Sequence, residues 1–189
     1  YRAASGFSHA VRLRTGAGVR ATRSRTTWGR PYVVALLNDA FRAMHRLWPT
    51  RHPAIVGSLS RLGGGRLRPH KSHRAGRDID IGYFTREPTR KFWGVPRLHE
   101  IDYARLWFFI DRLESSGQVA AIYMSPNIQM NLHHYALTRG RAKPERLKVM
   151  FQYPCARGAR KTLIRHSRGH RDHMHIRFDS PTELTELSS

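Results

Sequence analysis

The amino-acid sequence predicts an α+β fold in which a mainly antiparallel central sheet is flanked by helices. Two patterns predict this class. Apolar residues recur at steps of three and four in some segments, as in helices, and alternate with polar residues in others, as in half-buried strands. The two kinds of segment are interspersed without the regular spacing of βαβ units. The chain has 189 residues, which suits one domain with a hydrophobic core.

The first thirty residues are predicted to form a basic arm with little regular structure, draped over a domain that comprises residues 31–189. Residues 1–30 contain seven arginines and no acidic residue, a composition typical of an irregular segment. The first residue is Tyr1, which fits either removal of a signal peptide or upstream shortening. Cys155 is the only cysteine of the sequence, so no intrachain disulfide can form, and its role stays open.

Three helices follow from the periodic apolar residues, and they cover residues 31–48, 103–113 and 127–138. Pro31 and Pro126 lie in the first turns of two of them, where the missing backbone N–H is not needed. Ser125 is the predicted N-cap of the third helix.

Four strands are predicted, at residues 78–81, 119–124, 148–153 and 173–178. The first alternates strictly, because Asp78 and Asp80 are separated and followed by isoleucines. A glycine-rich basic loop over residues 58–69 precedes it. The elements therefore alternate irregularly between helix and strand, as the predicted class requires.

The charge of the chain is strongly positive, with 34 Lys+Arg against 13 Asp+Glu and a formal net charge of +21. Such a surface attracts polyanions, which include nucleic acid, anionic lipid and acidic wall polymers. A large supply of arginine can also serve solubility alone. Charge therefore does not select the partner. No segment approaches the roughly 18 apolar residues of a membrane span, so none is predicted.

The residues that can carry chemistry lie in two segments, SHRAGRDID at 72–80 and GHRDHMHIRF at 169–178. Side chains two positions apart on a strand share a face. Asp78 and Asp80 therefore point to one side of the first strand, and His173, His175 and Arg177 point to one side of the second. If the two strands are neighbours, imidazole and carboxylate groups converge.

This convergence predicts a one-ion zinc site on the sheet, with His73, Asp80 and His175 as ligands. Catalytic zinc takes three nitrogen or oxygen ligands at about 2.0–2.2 Å and keeps one position for water. Gly76 supplies the sharp turn that lets His73 bend back over Asp80. Each motif alone has another interpretation, since His-x-His pairs also occur on surfaces and Asp-x-Asp can pair with nearby arginines.

The two segments resemble the penicillin-insensitive murein endopeptidases, within a wider group of metallopeptidases that includes lysostaphin-type enzymes and D-alanyl-D-alanine peptidases. The shared motifs are His-x6-Asp, present as His73 to Asp80, and His-x-His, present as His173-Met174-His175. The glycine-rich run before PHKSH, the DIDIGY strand and the MSPNIQ turn also fit. The resemblance covers residues 31–178 loosely and has no counterpart for the basic arm.

The resemblance implies roles for further histidines. It implies the same three zinc ligands and makes His173 the catalytic residue beside the metal. His170 matches a second histidine of this branch, where many relatives have a glutamate base. His70 also matches a histidine of undefined role, and it is a candidate to orient a ligand or to bind substrate.

Three more polar residues are candidates to orient a ligand or to bind substrate. Ser72 and Asp78 could each fix the free nitrogen of a ligand histidine. Asp78 could equally form a surface salt bridge with Arg77 or Arg74. Arg177 could hold a substrate carboxylate or be an ordinary arginine of the sheet surface.

The function implied by the resemblance is that of a zinc-dependent endopeptidase that hydrolyses peptide cross-links of bacterial peptidoglycan, at D-alanyl–diaminopimelyl bonds, in the periplasm or after secretion. The expected partners are peptidoglycan peptides, and anionic wall or outer-membrane polymers that bind the basic surface. The alternatives are a zinc D,D- or L,D-carboxypeptidase of the same fold, a metal-dependent nuclease, and a binding module that has lost catalysis. Nucleic acid is disfavoured because no ββα-metal or two-metal acidic cluster is recognisable.

Overall fold

The computed structural model describes residues 7–88, 94–155 and 162–180. The strands in these ranges are β1 Val11–Arg12, β2 Val19–Ala21, β3 Trp28–Gly29, β4 Ala54–Val56, β5 Asp78–Gly82, β6 Val119–Met124, β7 Ile164–His166 and β8 His173–Phe178. The α-helices are α1 Pro31–Leu47, α2 Tyr103–Glu114, α3 Pro126–Thr138 and α4 Pro144–Met150. Short 3-10 turns occupy Ser24–Thr26 and Leu98–Glu100.

Six strands form one sheet in the order β2-β4-β5-β8-β6-β7. The three inner pairs are antiparallel, whereas the outer pairs β2–β4 and β6–β7 are parallel. β1 and β3 pair separately as a small antiparallel sheet. The predicted α+β class is therefore confirmed, and the prediction of a mainly antiparallel sheet is wrong because the sheet is mixed.

Crossover helices explain the parallel pairs. Parallel neighbours need a long connection that returns the chain to the same end of the sheet. The helix α1 lies between β2 and β4 in the sequence, and α3 and α4 lie between β6 and β7. The strands β2, β4 and β7 have three residues each, too few for a visible alternation. They were therefore not predicted, and neither were their crossovers.

The N-terminal segment, residues 7–30, belongs to the fold. It contains β1, β2 and β3, and its Leu13 and Val19 are buried in the main hydrophobic core. The expectation of little regular structure is thus wrong for this part of the predicted arm. Its strands are too short to show periodicity, and their pairing partners lie far away in the sequence. Residues 1–6 of the arm, and parts of the predicted domain 31–189, lie outside the described residues.

The three predicted helices and three of the four predicted strands are present, with ends shifted by at most one residue. The predicted strand at residues 148–153 is wrong, because residues 144–150 form the helix α4. Pro144 occupies the first turn of α4, and Leu147 and Met150, three residues apart, are buried on one face. A run of seven residues is too short for periodicity to separate helix from strand.

One core lies between the helices and the apolar face of the sheet. Ile79 of β5 and Ile176 of β8 are fully buried in it. Phe41 of α1 stacks on Phe109 of α2, with ring centroids 4.9 Å apart. Because side chains alternate along a strand, the opposite faces of β5 and β8 are left for polar residues. Across the described ranges, no helix combines the length and the apolar character that crossing a bilayer requires.

The packing of the N-terminal segment into the core can be tested through its contribution to the free energy of unfolding. Leu13 is completely buried, whereas Val11, two residues earlier, is 42% exposed. We expect Leu13→Ala to lower the free energy of unfolding by about 2–5 kcal/mol, because it leaves a cavity in the core. Urea denaturation measures this change.

The matched control is Val11→Ala, which should cost less than about 1 kcal/mol. Equal costs for the two variants would show that the segment is draped over the domain rather than packed into it.

Candidate metal centre

The antiparallel pair β5–β8 brings the two predicted motifs together. Its register sets Asp78 opposite Arg177, Asp80 opposite His175 and Gly82 opposite His173. Directly paired residues in an antiparallel ladder present their side chains on the same face. Both strands lie at the centre of the sheet, with neighbours on each side. The polar face of this strand pair is therefore a rigid platform.

Three predicted ligands converge on one point of this platform. His73 Nε2 lies 3.2 Å from Asp80 Oδ1 and 3.2 Å from His175 Nδ1. His175 Nδ1 lies 2.9 Å from Asp80 Oδ1. Ligands placed tetrahedrally about 2.1 Å from a metal are separated by about 3.4 Å. The donor atoms thus already have nearly the spacing that a shared divalent cation requires.

A hydrogen bond to the backbone fixes the orientation of the His73 ring. Its Nδ1–H donates to the carbonyl oxygen of Leu59 at 2.8 Å, so Nε2 faces Asp80. Gly76, in the turn between His73 and Asp80, has a φ of +67°. A Cβ atom there would lie 2.9 Å from the nitrogen of Arg30. The predicted need for glycine in this turn is confirmed.

The orientation of His175 is fixed by a second carboxylate. His175 Nε2 donates to Asp78 Oδ1 at 2.9 Å, and Arg177 Nε donates to the same oxygen at 2.8 Å. Asp78 is buried, while the side chain of Arg177 is 41% exposed. Asp78 therefore contacts the ring nitrogen that faces away from Asp80, which is where a carboxylate orients a metal-binding histidine.

Electrostatics favour an ionised carboxylate and a protonated imidazole before metal binds. Burial alone raises the pKa of Asp80, but hydrogen bonds from His175 and His73 outweigh it and hold that pKa well below its usual range. Burial alone lowers the pKa of His175, but its bonds to Asp78 and Asp80 raise it to about 9. A proton on His175 thus occupies the place that a cation could take.

His70 adds a further candidate ligand. Its Nδ1 lies 3.3 Å from Asp80 Oδ2, and His70, His73 and Asp80 form a group whose ligand atoms all lie within 4.8 Å of one another. This group could hold a metal ion. Burial, followed by the charge of His73, lowers the pKa of His70 and favours its neutral form. The sequence identified His70 only as a candidate to orient a ligand or bind substrate.

His173 lies beside the ligands and is held by an acidic neighbour. Its Nε2 is 3.8 Å from Asp80 Oδ1, and its Nδ1 donates to Asp172 Oδ1 at 2.7 Å. Sequence reasoning missed Asp172, because it precedes β8 and the alternation argument covered only strand residues. The available signal was an acidic residue directly before the His-x-His motif.

His170 and Ser72 lie on loops next to the centre. The His170 ring centroid is 5.0 Å from that of His173, and its Nδ1–H donates to the Arg168 carbonyl at 3.1 Å. Tyr83 anchors this loop, since its hydroxyl donates to the His170 carbonyl at 2.9 Å. Ser72 lies in the turn directly before His73, and its role in orienting a ligand stays a prediction.

A cavity of about 300 Å³ opens beside the centre. Its polar lining comes from the two site strands, their loops and the N-terminal segment, through Arg23, Ser58, His70, Asp80, Asp172 and His173. The sequence did not single out Arg23, because it is one of seven arginines in a segment expected to be irregular. The cavity supplies room for a substrate next to the candidate ligands.

No protein-family model matches the chain, and it has no significant match among curated proteins. The family resemblance therefore depends on the motifs at residues 72–80 and 169–178. The geometry of the centre is an independent observation, since it follows from strand register and side-chain contacts.

Metal binding should displace a proton from His175. Its pKa of about 9 lies above the usual 6.5, so at pH 7 to 8 the metal-free imidazole is protonated and must lose a proton to become a ligand. We expect zinc affinity to rise up to about tenfold per pH unit between pH 6.5 and 9, with about one proton released per ion. Titration calorimetry in two buffers of different ionisation enthalpy measures this release.

The stability of the metal-free fold changes with pH in the direction opposite to zinc affinity. Protonated His175 stabilises the metal-free fold fully below about pH 6.5, and this contribution is lost as the pH rises through about 9. Asp78→Asn removes one of the charges that raise this pKa, so it should reduce proton release at pH 8. Zinc binding without proton release at pH 7 to 8 would contradict the proposed protonation of His175.

Proposed function

We propose that the chain is a zinc-dependent endopeptidase that hydrolyses peptide cross-links of peptidoglycan, at D-alanyl–diaminopimelyl bonds. One observation carries the proposal: the donor atoms of His73, Asp80 and His175 lie within 3.2 Å of one another, beside a cavity that His173 also lines. Two imidazoles and one carboxylate are a ligand set that catalytic zinc uses. His70 is a further candidate ligand on the second oxygen of Asp80.

Zinc bound here would lower the pKa of a coordinated water and polarise the scissile carbonyl. Among the described residues, the cavity gives access to the candidate centre. His73 is 1% exposed and His175 is 7% exposed, whereas Asp80 and His173 line the cavity. The scissile bond would therefore approach from the cavity, where His173 is the candidate general base.

His173 is suited to proton transfer by its hydrogen bond to Asp172. That bond keeps the proton on Nδ1 and leaves the Nε2 lone pair facing the cleft. We infer that Nε2 takes a proton from the attacking water as the C–O bond forms. It then returns the proton to the scissile nitrogen as the C–N bond breaks. His170, on the adjacent loop, is the second candidate for this role or for stabilising the oxyanion.

The charge of the chain fits an anionic environment. With a formal net charge of +21, the protein would adhere to anionic wall or outer-membrane polymers near its peptide substrate. The proposed location is the bacterial periplasm or the medium.

Replacement of the two strand histidines should separate metal binding from proton transfer. We expect His175→Ala to lose both bound zinc and activity. His173→Ala should retain zinc and lose activity by about 10²–10⁴-fold, the usual contribution of a general base. Metal content by mass spectrometry and initial rates on cross-linked muropeptides give the two readouts.

His134→Ala is the matched control, because His134 is an exposed histidine on α3. It should keep both zinc and activity. A His173→Ala protein with the native rate would exclude His173 as the base, and a His175→Ala protein with full zinc would exclude the ligand assignment.

The reaction class can be tested by digestion. We expect purified murein to release monomeric muropeptides from cross-linked dimers, detected by chromatography and mass spectrometry. Chelation should abolish this release, and zinc should restore it, because the proposed reaction uses a water that the bound metal activates.

A plasmid-nicking assay runs in parallel. Nicking without release of muropeptides would favour a nuclease, release of terminal D-alanine alone would favour a carboxypeptidase, and metal-independent binding of murein without cleavage would favour a binding module. Each of these results contradicts the endopeptidase.

A further inference from the structure

Arg23 lies in the wall of the cavity beside the candidate metal centre. It lines this cavity together with His70, Asp80 and His173, although it comes from the N-terminal segment. Its side chain is exposed. A guanidinium at this place faces the substrate space and not the hydrophobic core.

The backbone around Arg23 is held firmly to the site. Thr22 N–H donates to the Val56 carbonyl at 3.0 Å, and Leu59 N–H donates to the Thr26 carbonyl at 2.7 Å. Residues 22–26, which include Arg23 and the 3-10 turn after it, are thereby bonded at both ends to residues 56–59. This segment therefore positions Arg23 as part of the cavity wall.

The same residues 56–59 are bonded to the strand of the candidate ligand. Gly57 N–H donates to the Asp80 carbonyl at 2.9 Å, and Asp80 N–H donates to the Ser58 carbonyl at 3.1 Å. The Leu59 carbonyl accepts from His73. Arg23, His73 and Asp80 are thus connected through one short hydrogen-bonded segment, which keeps the backbone of Arg23 at a defined place relative to the metal centre.

The charge of Arg23 is not neutralised by the acidic groups of the cleft. Asp80 is engaged by His73 and His175, and Asp172 is engaged by His173. Among the described residues, no carboxylate lies within ion-pair distance of Arg23. Within the part of the chain that the structure describes, the cavity therefore presents a cation that has no anionic partner.

We propose that Arg23 binds a carboxylate of the substrate, and that the preferred substrates are acidic peptides with a free carboxylate next to the scissile bond. The inference rests on the proposed peptidase function and names the substrate class of that site. A guanidinium matches a carboxylate with two parallel N–H···O bonds, and carboxylates are the anions that an unmodified peptide carries. A diaminopimelyl residue fits, since a carboxyl group is attached to the carbon beside the scissile nitrogen.

The test pairs a change in the enzyme with a change in the substrate. Two synthetic peptides contain the same D-alanyl–diaminopimelyl bond, with the carboxyl group beside the scissile nitrogen free in one and amidated in the other. We expect Arg23→Gln to lower kcat/KM for the acid by about 10–100-fold, mainly through KM, because it removes a charge-assisted bond. The same variant should leave the amide nearly unchanged.

Arg25→Gln is the matched control, because Arg25 is an exposed arginine of the 3-10 turn that follows Arg23. It should retain the preference for the acid. Arg23→Lys keeps the positive charge but cannot form the two parallel N–H···O bonds of a guanidinium, so it should lose part of the preference for the acid. An equal loss on acid and amide, or no loss on either, would overturn the inference.

A binding experiment distinguishes failure of this inference from failure of the proposed function. Zinc-loaded His173→Ala protein should bind the acid about 10–100-fold more tightly than the amide in calorimetry, and Arg23→Gln should remove that difference. Cleavage of both peptides with no role for Arg23 overturns the inference alone. Binding with the Arg23-dependent preference, but no cleavage by the unmodified enzyme, overturns the endopeptidase alone. Absence of binding to both peptides overturns both.

Discussion

The pairing of β5 with β8 is the constraint on which the candidate site depends. The register that places Asp80 opposite His175 also directs Ile79 and Ile176 into the core on the other face of the sheet. A slip of one residue would exchange the two faces, so that carboxylates entered the core and isoleucines faced the cavity. The free energy of apolar burial therefore enforces the same register that brings the ligands together, and the site gains its rigidity from the core.

The polar face is a network in which each buried group depends on its neighbours. Asp78, Asp80, His73 and His175 are all buried, and burial of such groups is costly unless they are paired. In the protein, protons and hydrogen bonds provide the pairing, with Asp80 ionised and His175 protonated. A divalent cation would replace the proton of His175 and satisfy the same carboxylate. The network is thus suited to exchange one positive charge for another without rearrangement of the backbone.

The N-terminal segment connects the stability of the fold to the shape of the cavity. Its Leu13 and Val19 fill part of the core, while Arg23 lines the cavity. Both roles use the parallel pairing of β2 with β4, because this pairing fixes residues 19–21 beside residues 54–56. A segment whose composition is typical of an irregular arm therefore contributes an edge strand, core side chains and a cation next to the candidate ligands.

Local patterns in the sequence determined the long helices and the strands β5, β6 and β8. Strict alternation also assigned Asp80 and His175 each to the polar face of its strand, whereas the approach of His73 was predicted from the glycine turn at Gly76. Only the tertiary structure decided the parallel outer pairs, since β2, β4 and β7 are too short for periodicity and acquire their pairing through crossovers. The helix α4 depended on packing of Leu147 and Met150, which a seven-residue run does not reveal. Asp172, His70 and Arg23 reach the centre through loops, whose paths follow from contacts between distant segments and not from any local repeat.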